Sequence, residues 1–166
     1  MSQKTVILFS LWTSVWAAVF YHFYMMLFAS FGVPWVMFVC MAIFFGMDLA
    51  PKQFYAAMLS AFCGMAWGQL DFLLIGLFEG LGLNTAAASF LSIVLGTFAA
   101  MYVHLKLLCK TPLGLMPFIF AGVCLTFSQN GGNVIGLGST FVIGILLSSL
   151  CCAGLQFCIK RDPPAK

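Results

Sequence analysis

The sequence predicts an all-α integral membrane protein of six transmembrane helices, an inverted three-plus-three repeat with a short second helix in each half. Three observations lead there. Apolar residues make up 63% of the 166-residue chain and charged residues 7%, against about a quarter charged in soluble domains. The apolar residues fall into six runs bounded by turn or charge signals. If all six runs cross, every Lys and Arg falls on one side of the membrane, as the positive-inside tendency requires. A water-soluble fold would have to expose these runs, whereas a bilayer solvates them and helices satisfy their own backbone there.

The first run spans about Val6 to Phe31 and reads as a span rather than a cleavable signal, since no small-residue cleavage site closes a short apolar core. The second, Pro34 to about Gly46, is short. The third covers Phe54 to Phe78, and the fourth about Thr85 to Leu108. The fifth, Pro112 to about Ser128, is short again and carries a second proline, Pro117. The sixth covers about Asn133 to Ile159, before a polar tail over residues 160–166.

A full crossing needs roughly 20 apolar residues, so the short runs could be re-entrant by length alone. Charge favours crossing. With six spans and a cytoplasmic amino terminus, Lys4, Lys52, Lys106, Lys110, Lys160, Arg161 and Lys166 all lie inside. The outer loops near Gly32, Glu79 to Asn84 and Gln129 to Gly132 then hold no basic residue. If the short runs dipped in and returned, Lys52, Lys106 and Lys110 would move outside.

The order of lengths is long, short, long, repeated, within one membrane domain over 1–166 whose halves are about 6–78 and 84–159. Each short run opens with a proline, Pro34 and Pro112. Small residues recur every fourth position and end in histidine twice: Ser10, Ser14, Ala18, His22, and Ser92, Gly96, Ala100, His104. The third run has Ala56, Ser60, Gly64, Gly68, and the sixth has Gly136, Thr140, Gly144, Ser148, Cys152. Residues four apart share a helix face, and small ones let backbones approach. Any packed bundle can show one such stripe; the shared order of lengths, prolines and histidines points to duplication. Three crossings per half make the second half inverted, a recurring transporter design.

Polar groups inside spans are costly and therefore functional candidates. Asp71, with Gln69 and Trp67 before it, could line a cavity or bind a cation or polar solute. The plain alternatives are an interfacial carboxylate for Asp71 and packing for Trp67. His22 and His104 could relay protons, or simply hydrogen-bond between helices. Thr126 and Ser128 begin the TFSQNGGN stretch, which fits an outer pore mouth or an ordinary turn. Pro34 and Pro117 complete the set of path candidates. Asp48 and Lys52 read as solvated loop charges.

None of the seven cysteines forms a CxxC pair, and within apolar runs such residues act as small hydrophobes. No HExxH, GxSxG or GxxxxGK[ST] pattern occurs, so neither a catalytic residue, a metal nor a cofactor is expected. The net charge of +3 is scattered and forms no nucleic-acid-binding stripe.

Pro117, Phe120, Gly122, Cys124, Thr126 and Phe127 fit a P-x-x-F-x-G-x-C-x-T-F pattern, and Trp35, Cys40, Phe45, Lys52, Gly64 and Trp67 extend the likeness. In these residues the chain resembles the YcdZ-like family of small bacterial inner-membrane proteins, a family of unknown function. The resemblance implies an inner-membrane location with both termini cytoplasmic on the charge argument above. Asp71 and Glu79 lie outside the pattern, so the resemblance assigns them no role. Together these readings lead to a small-solute or ion channel or transporter, not an enzyme, in contact with the lipid bilayer and assembled as a homo-oligomer. The competing reading is a non-transporting scaffold, sensor or accessory subunit.

Overall fold

Apolar runs close their own backbone hydrogen bonds as helices. In a computed structural model describing residues 2–161, six such helices form: α1 (Gln3–Phe28), α2 (Val36–Gly46), α3 (Phe54–Gly80), α4 (Thr85–Tyr102), α5 (Met116–Ser128) and α6 (Val134–Arg161). Among the described residues every regular element is helical, including a 3₁₀ turn at Pro51–Gln53 and a π-helical turn at Val103–Leu107. The expected placement of Lys166 falls outside the described residues.

Local chemistry sets the ends. The Ser2 hydroxyl caps α1 by accepting from the Thr5 N–H at 3.1 Å. Asn84 caps α4 the same way, accepting from the Ala87 N–H at 2.9 Å. Between α5 and α6 the backbone turns through positive φ at Asn130, Gly131 and Asn133, residue types that tolerate that region.

Four helical stretches are long and apolar enough to cross a bilayer: Gln3–Phe28, Pro51–Gly80, Thr85–Leu107 and Val134–Ile159. Helices α2 and α5 are not. At 1.5 Å per residue, the 11 residues of α2 give about 16 Å, roughly half of a hydrocarbon core.

The chain divides into two compact units. One gathers the segment ending at Phe54 and the segment beginning at Gly136; the other is Tyr55–Ile135. In the first unit α6 packs with α1 and α2. Tyr24 meets Thr140 near the start of α6, while the Trp12 indole N–H donates to the Leu150 carbonyl at 3.3 Å, so α1 and α6 run antiparallel. Gly144 lets α2 approach at Met37 and Cys40; Met41, Leu147 and Cys151 form a core that Trp16 and Phe20 cover. Phe45, near the end of α2, packs edge-on against Phe9 near the start of α1. The short helix therefore carries the chain back along α1 rather than returning it to the end it left.

The second unit packs α3 with α4 and α5. Gly64 and Gly122 bring α3 and α5 into backbone contact: a Cβ at Gly122 would stand 2.6 Å from the Met65 nitrogen. Gly68 seats against Thr126, and Phe72 against Phe127 with ring centroids 4.8 Å apart, so α5 runs parallel to α3. The described basic positions fall toward particular helix ends. In the first unit Lys4 opens α1 and Lys52 follows Pro51, whose carbonyl accepts from Ser149 of α6; in the second, Lys106 and Lys110 lie just before Pro112, whose carbonyl meets Ser60 in the second turn of α3.

The small-residue stripes have different fates. Ala88, Ser92, Gly96, Ala100 and His104 are buried, whereas Ser10, Ser14, Ala18 and His22 on α1 are exposed.

The glycine contact between α3 and α5 is a sharp test. Gly122→Val should overpack it, lowering stability in detergent by at least about 1–3 kcal/mol. Gly76→Val, where a Cβ meets nothing within 4 Å, should change the thermal melt little.

Candidate functional site

Where a chain enters a short helix, its non-helical backbone lies beside long helices and needs partners inside the protein. In the first unit the Val33 N–H donates to the Tyr24 hydroxyl at 3.1 Å, with the Thr140 hydroxyl a longer second acceptor at 3.3 Å. Tyr24 and Thr140 also bond each other. Pro34 follows at once, half-buried, and leads into α2.

In the second unit the same task falls to Ser60 and His104. The Ser60 hydroxyl donates to the Pro112 carbonyl at 3.0 Å and accepts from the Leu115 N–H at 3.3 Å. His104 sits in the π-helical turn, 1% exposed, with Nδ1 2.7 Å from the Leu113 carbonyl. Its Nε2 faces the Trp67 indole N–H at 3.0 Å, with the Cys63 thiol a weaker neighbour at 3.6 Å. An indole N–H only donates and a carbonyl only accepts, so the pair selects the neutral imidazole with its hydrogen on Nδ1. A proton on Nε2 would face the indole hydrogen and break that bond.

Several path candidates thus have definite structural tasks. Gln69 donates to the Gly131 carbonyl at 2.8 Å and ties down the far end of α5. Thr126 is buried, but its hydroxyl bonds back to the Gly122 carbonyl of its own helix at 2.8 Å. Ser128, exposed, bonds back to Leu125. Pro117 stands in the first turn of α5, where its missing N–H costs nothing. His22 lies exposed on α1.

Asp71 differs from all of these. It is 4% exposed and holds no non-helical backbone. The Ser92 hydroxyl donates to its main-chain carbonyl at 2.8 Å and to Oδ1 at 3.3 Å. Its carboxyl occupies the place a side chain at Gly96 would need. Among the described residues no other group donates to the carboxyl, so Oδ2 has no partner. It borders a cavity of about 10 Å³ walled by Trp67, Ala100, Ile119, Phe120 and Val123, about the smallest space that holds one water.

Trp67 links the two clusters, donating to His104 and walling the Asp71 cavity. The sequence picks out Asp71, Trp67 and His104, but not the Ser60, Tyr24 and Thr140 clamps. Their only signals are a place in a small-residue stripe or beside His22. Among the described residues no group of three His, Cys, Asp or Glu side chains is placed to hold a metal ion.

Against known families, a model described as a protein of unknown function (DUF1097) matches residues 10–156. No curated protein and no solved structure matches the chain.

Trp67→Phe should leave the buried Nε2 of His104 with only its weak thiol neighbour, at a cost of about 1–3 kcal/mol. Adding His104→Phe should cost less in the Trp67→Phe background than in the wild type, because the two act as one network. Unfolding in mixed micelles, read on all four proteins, measures both.

Proposed function

We propose that this chain, which belongs to the DUF1097 family of proteins of unknown function, is a small-solute or ion transporter or channel with Asp71 at its site. Its setting is the bacterial inner membrane, as the YcdZ-like resemblance implies, with both termini cytoplasmic and a homo-oligomeric assembly. The observation that carries the reading is the buried Asp71 carboxyl, which closes no backbone and has one oxygen unpartnered. An Asp at a membrane helix centre costs about 2.5–3.5 kcal/mol on insertion scales, and such residues usually mark substrate or ion pathways.

The packing supports a three-plus-three repeat. Each compact unit holds two long helices and a short one, α1, α2 and α6 in one, α4, α5 and α3 in the other. The third helix of each sequence half is therefore exchanged. Buried positions on the short helices keep one register: Val36, Met37, Cys40 and Phe44 on α2 are spaced as Phe118, Ile119, Gly122 and Thr126 on α5. In both units the short helix runs back along a long one, as six crossings demand.

A second reading draws on the size of the Asp71 cavity. A space of about 10 Å³ passes no solute, and most polar candidates already have structural tasks. A non-transporting scaffold, sensor or accessory subunit would need no more. An alternating transporter closed around its site would show the same small cavity, whereas a permanently open pore would not.

Reconstitution decides between them. Liposomes carrying the protein should move at least one member of a panel of small neutral and charged solutes, at ten or more times the rate of empty vesicles. Asp71→Asn, eluting as folded protein, should bring the rate to background. If no solute outpaces empty vesicles, the scaffold reading replaces transport. For topology, a cysteine placed at Lys106, with Cys109 replaced, should react with an impermeant maleimide only from the cytoplasmic side; labelling from the periplasm would overturn six crossings.

A further inference from the structure

A carboxyl packed between helices can hold either a metal cation or a proton, and the two need different surroundings. A hard cation takes about six or more oxygen ligands. Around Asp71 the polar groups are its own carboxyl and the hydroxyls of Ser92 and Thr97; the rest of the cavity wall is aliphatic, aromatic or glycine. Room is short as well, at about 10 Å³.

A proton needs neither ligands nor space. Ser92 already engages Oδ1 as a donor, which leaves Oδ2 as the oxygen free to accept one. No charged side chain faces the carboxyl from the elements packed on it. Ser92 and Gly96 on α4, and Ile119, Phe120 and Val123 on α5, are all uncharged. Other titratable groups on these helices stand off. Cys63 and Glu79 lie two turns along α3 on either side, and Cys124 on α5 is exposed. His104, two turns beyond Gly96 along the same chain, has both nitrogens engaged.

We propose that Asp71 is a proton-binding site, with Ser92 and Gly96 as its socket on α4, and that the proton is the ion this protein takes up. The inference rests on the transport reading for its purpose, but not for its test. The proton arrives from water and bonds to Oδ2, converting carboxylate to carboxylic acid while Ser92 keeps its bond to Oδ1. Gly96 is what makes the socket close: any side chain there would displace the carboxyl. Loss of the α3–α4 contact would expose the acid to water and let the proton leave.

Infrared difference spectroscopy of the full chain in lipid vesicles, stepped in pH, reads this directly. The wild type should show a carboxylic-acid C=O band that titrates and is unchanged by added Na⁺, K⁺ or Li⁺. Asp71→Asn should lose that band, while Asp48→Asn and Glu79→Gln keep it; Asp71→Glu should move it, and serves if the Asn variant does not fold. Identical spectra for the wild type and both Asp71 variants would overturn the proposal. So would conversion of the acid band to carboxylate by a metal cation at fixed pH. A titrating Asp71 band in a protein that moves no solute would uphold the proton site and defeat the transport reading alone.

Discussion

Backbone that leaves the helical path beside long apolar helices must find its hydrogen bonds inside the protein, because lipid offers none. Both units are built around that constraint. Each contains one helix much shorter than its neighbours, and the peptide groups leading into it are closed by side chains from the long helices. Tyr24 and Thr140 do this at Val33, and Ser60 and His104 do it at Pro112, Leu113 and Leu115. The clamps sit on helices that also meet their neighbours at glycines, which brings the short hydroxyl side chains of Ser60 and Thr140 within reach of another backbone.

This accounts for most of the polar groups that a membrane sequence displays as suspects. His104 illustrates the point. A histidine inside a span invites a proton-relay reading, but one nitrogen holds a loop carbonyl and the other accepts from an indole. Gln69 resolves in the same way, its amide donating to the Gly131 carbonyl. Once these tasks are subtracted, Asp71 is left as a buried carboxyl that holds no non-helical backbone.

The two units differ at their long-helix contacts. Trp12 fills the socket over Gly154 in one, and Asp71 fills the socket at Gly96 in the other. Both use a glycine to admit a large or polar side chain, yet only the second admits an ionisable group.

The sequence by itself determined the helical class, the apolar segments and their alternation in length, because these follow from hydropathy along a line. It also singled out Asp71, since a carboxylate in an apolar run is visible without coordinates. It could not say which stripe of small residues would be buried. Ser10, Ser14, Ala18 and His22 match Ser92, Gly96, Ala100 and His104 in spacing, yet the first set is exposed and the second packed. Only tertiary structure decided that, and it also exchanged α3 and α6 between units and gave the hydroxyls their backbone partners. Periodicity shows that a helix has a face; which neighbour meets that face depends on contacts between residues far apart in the chain.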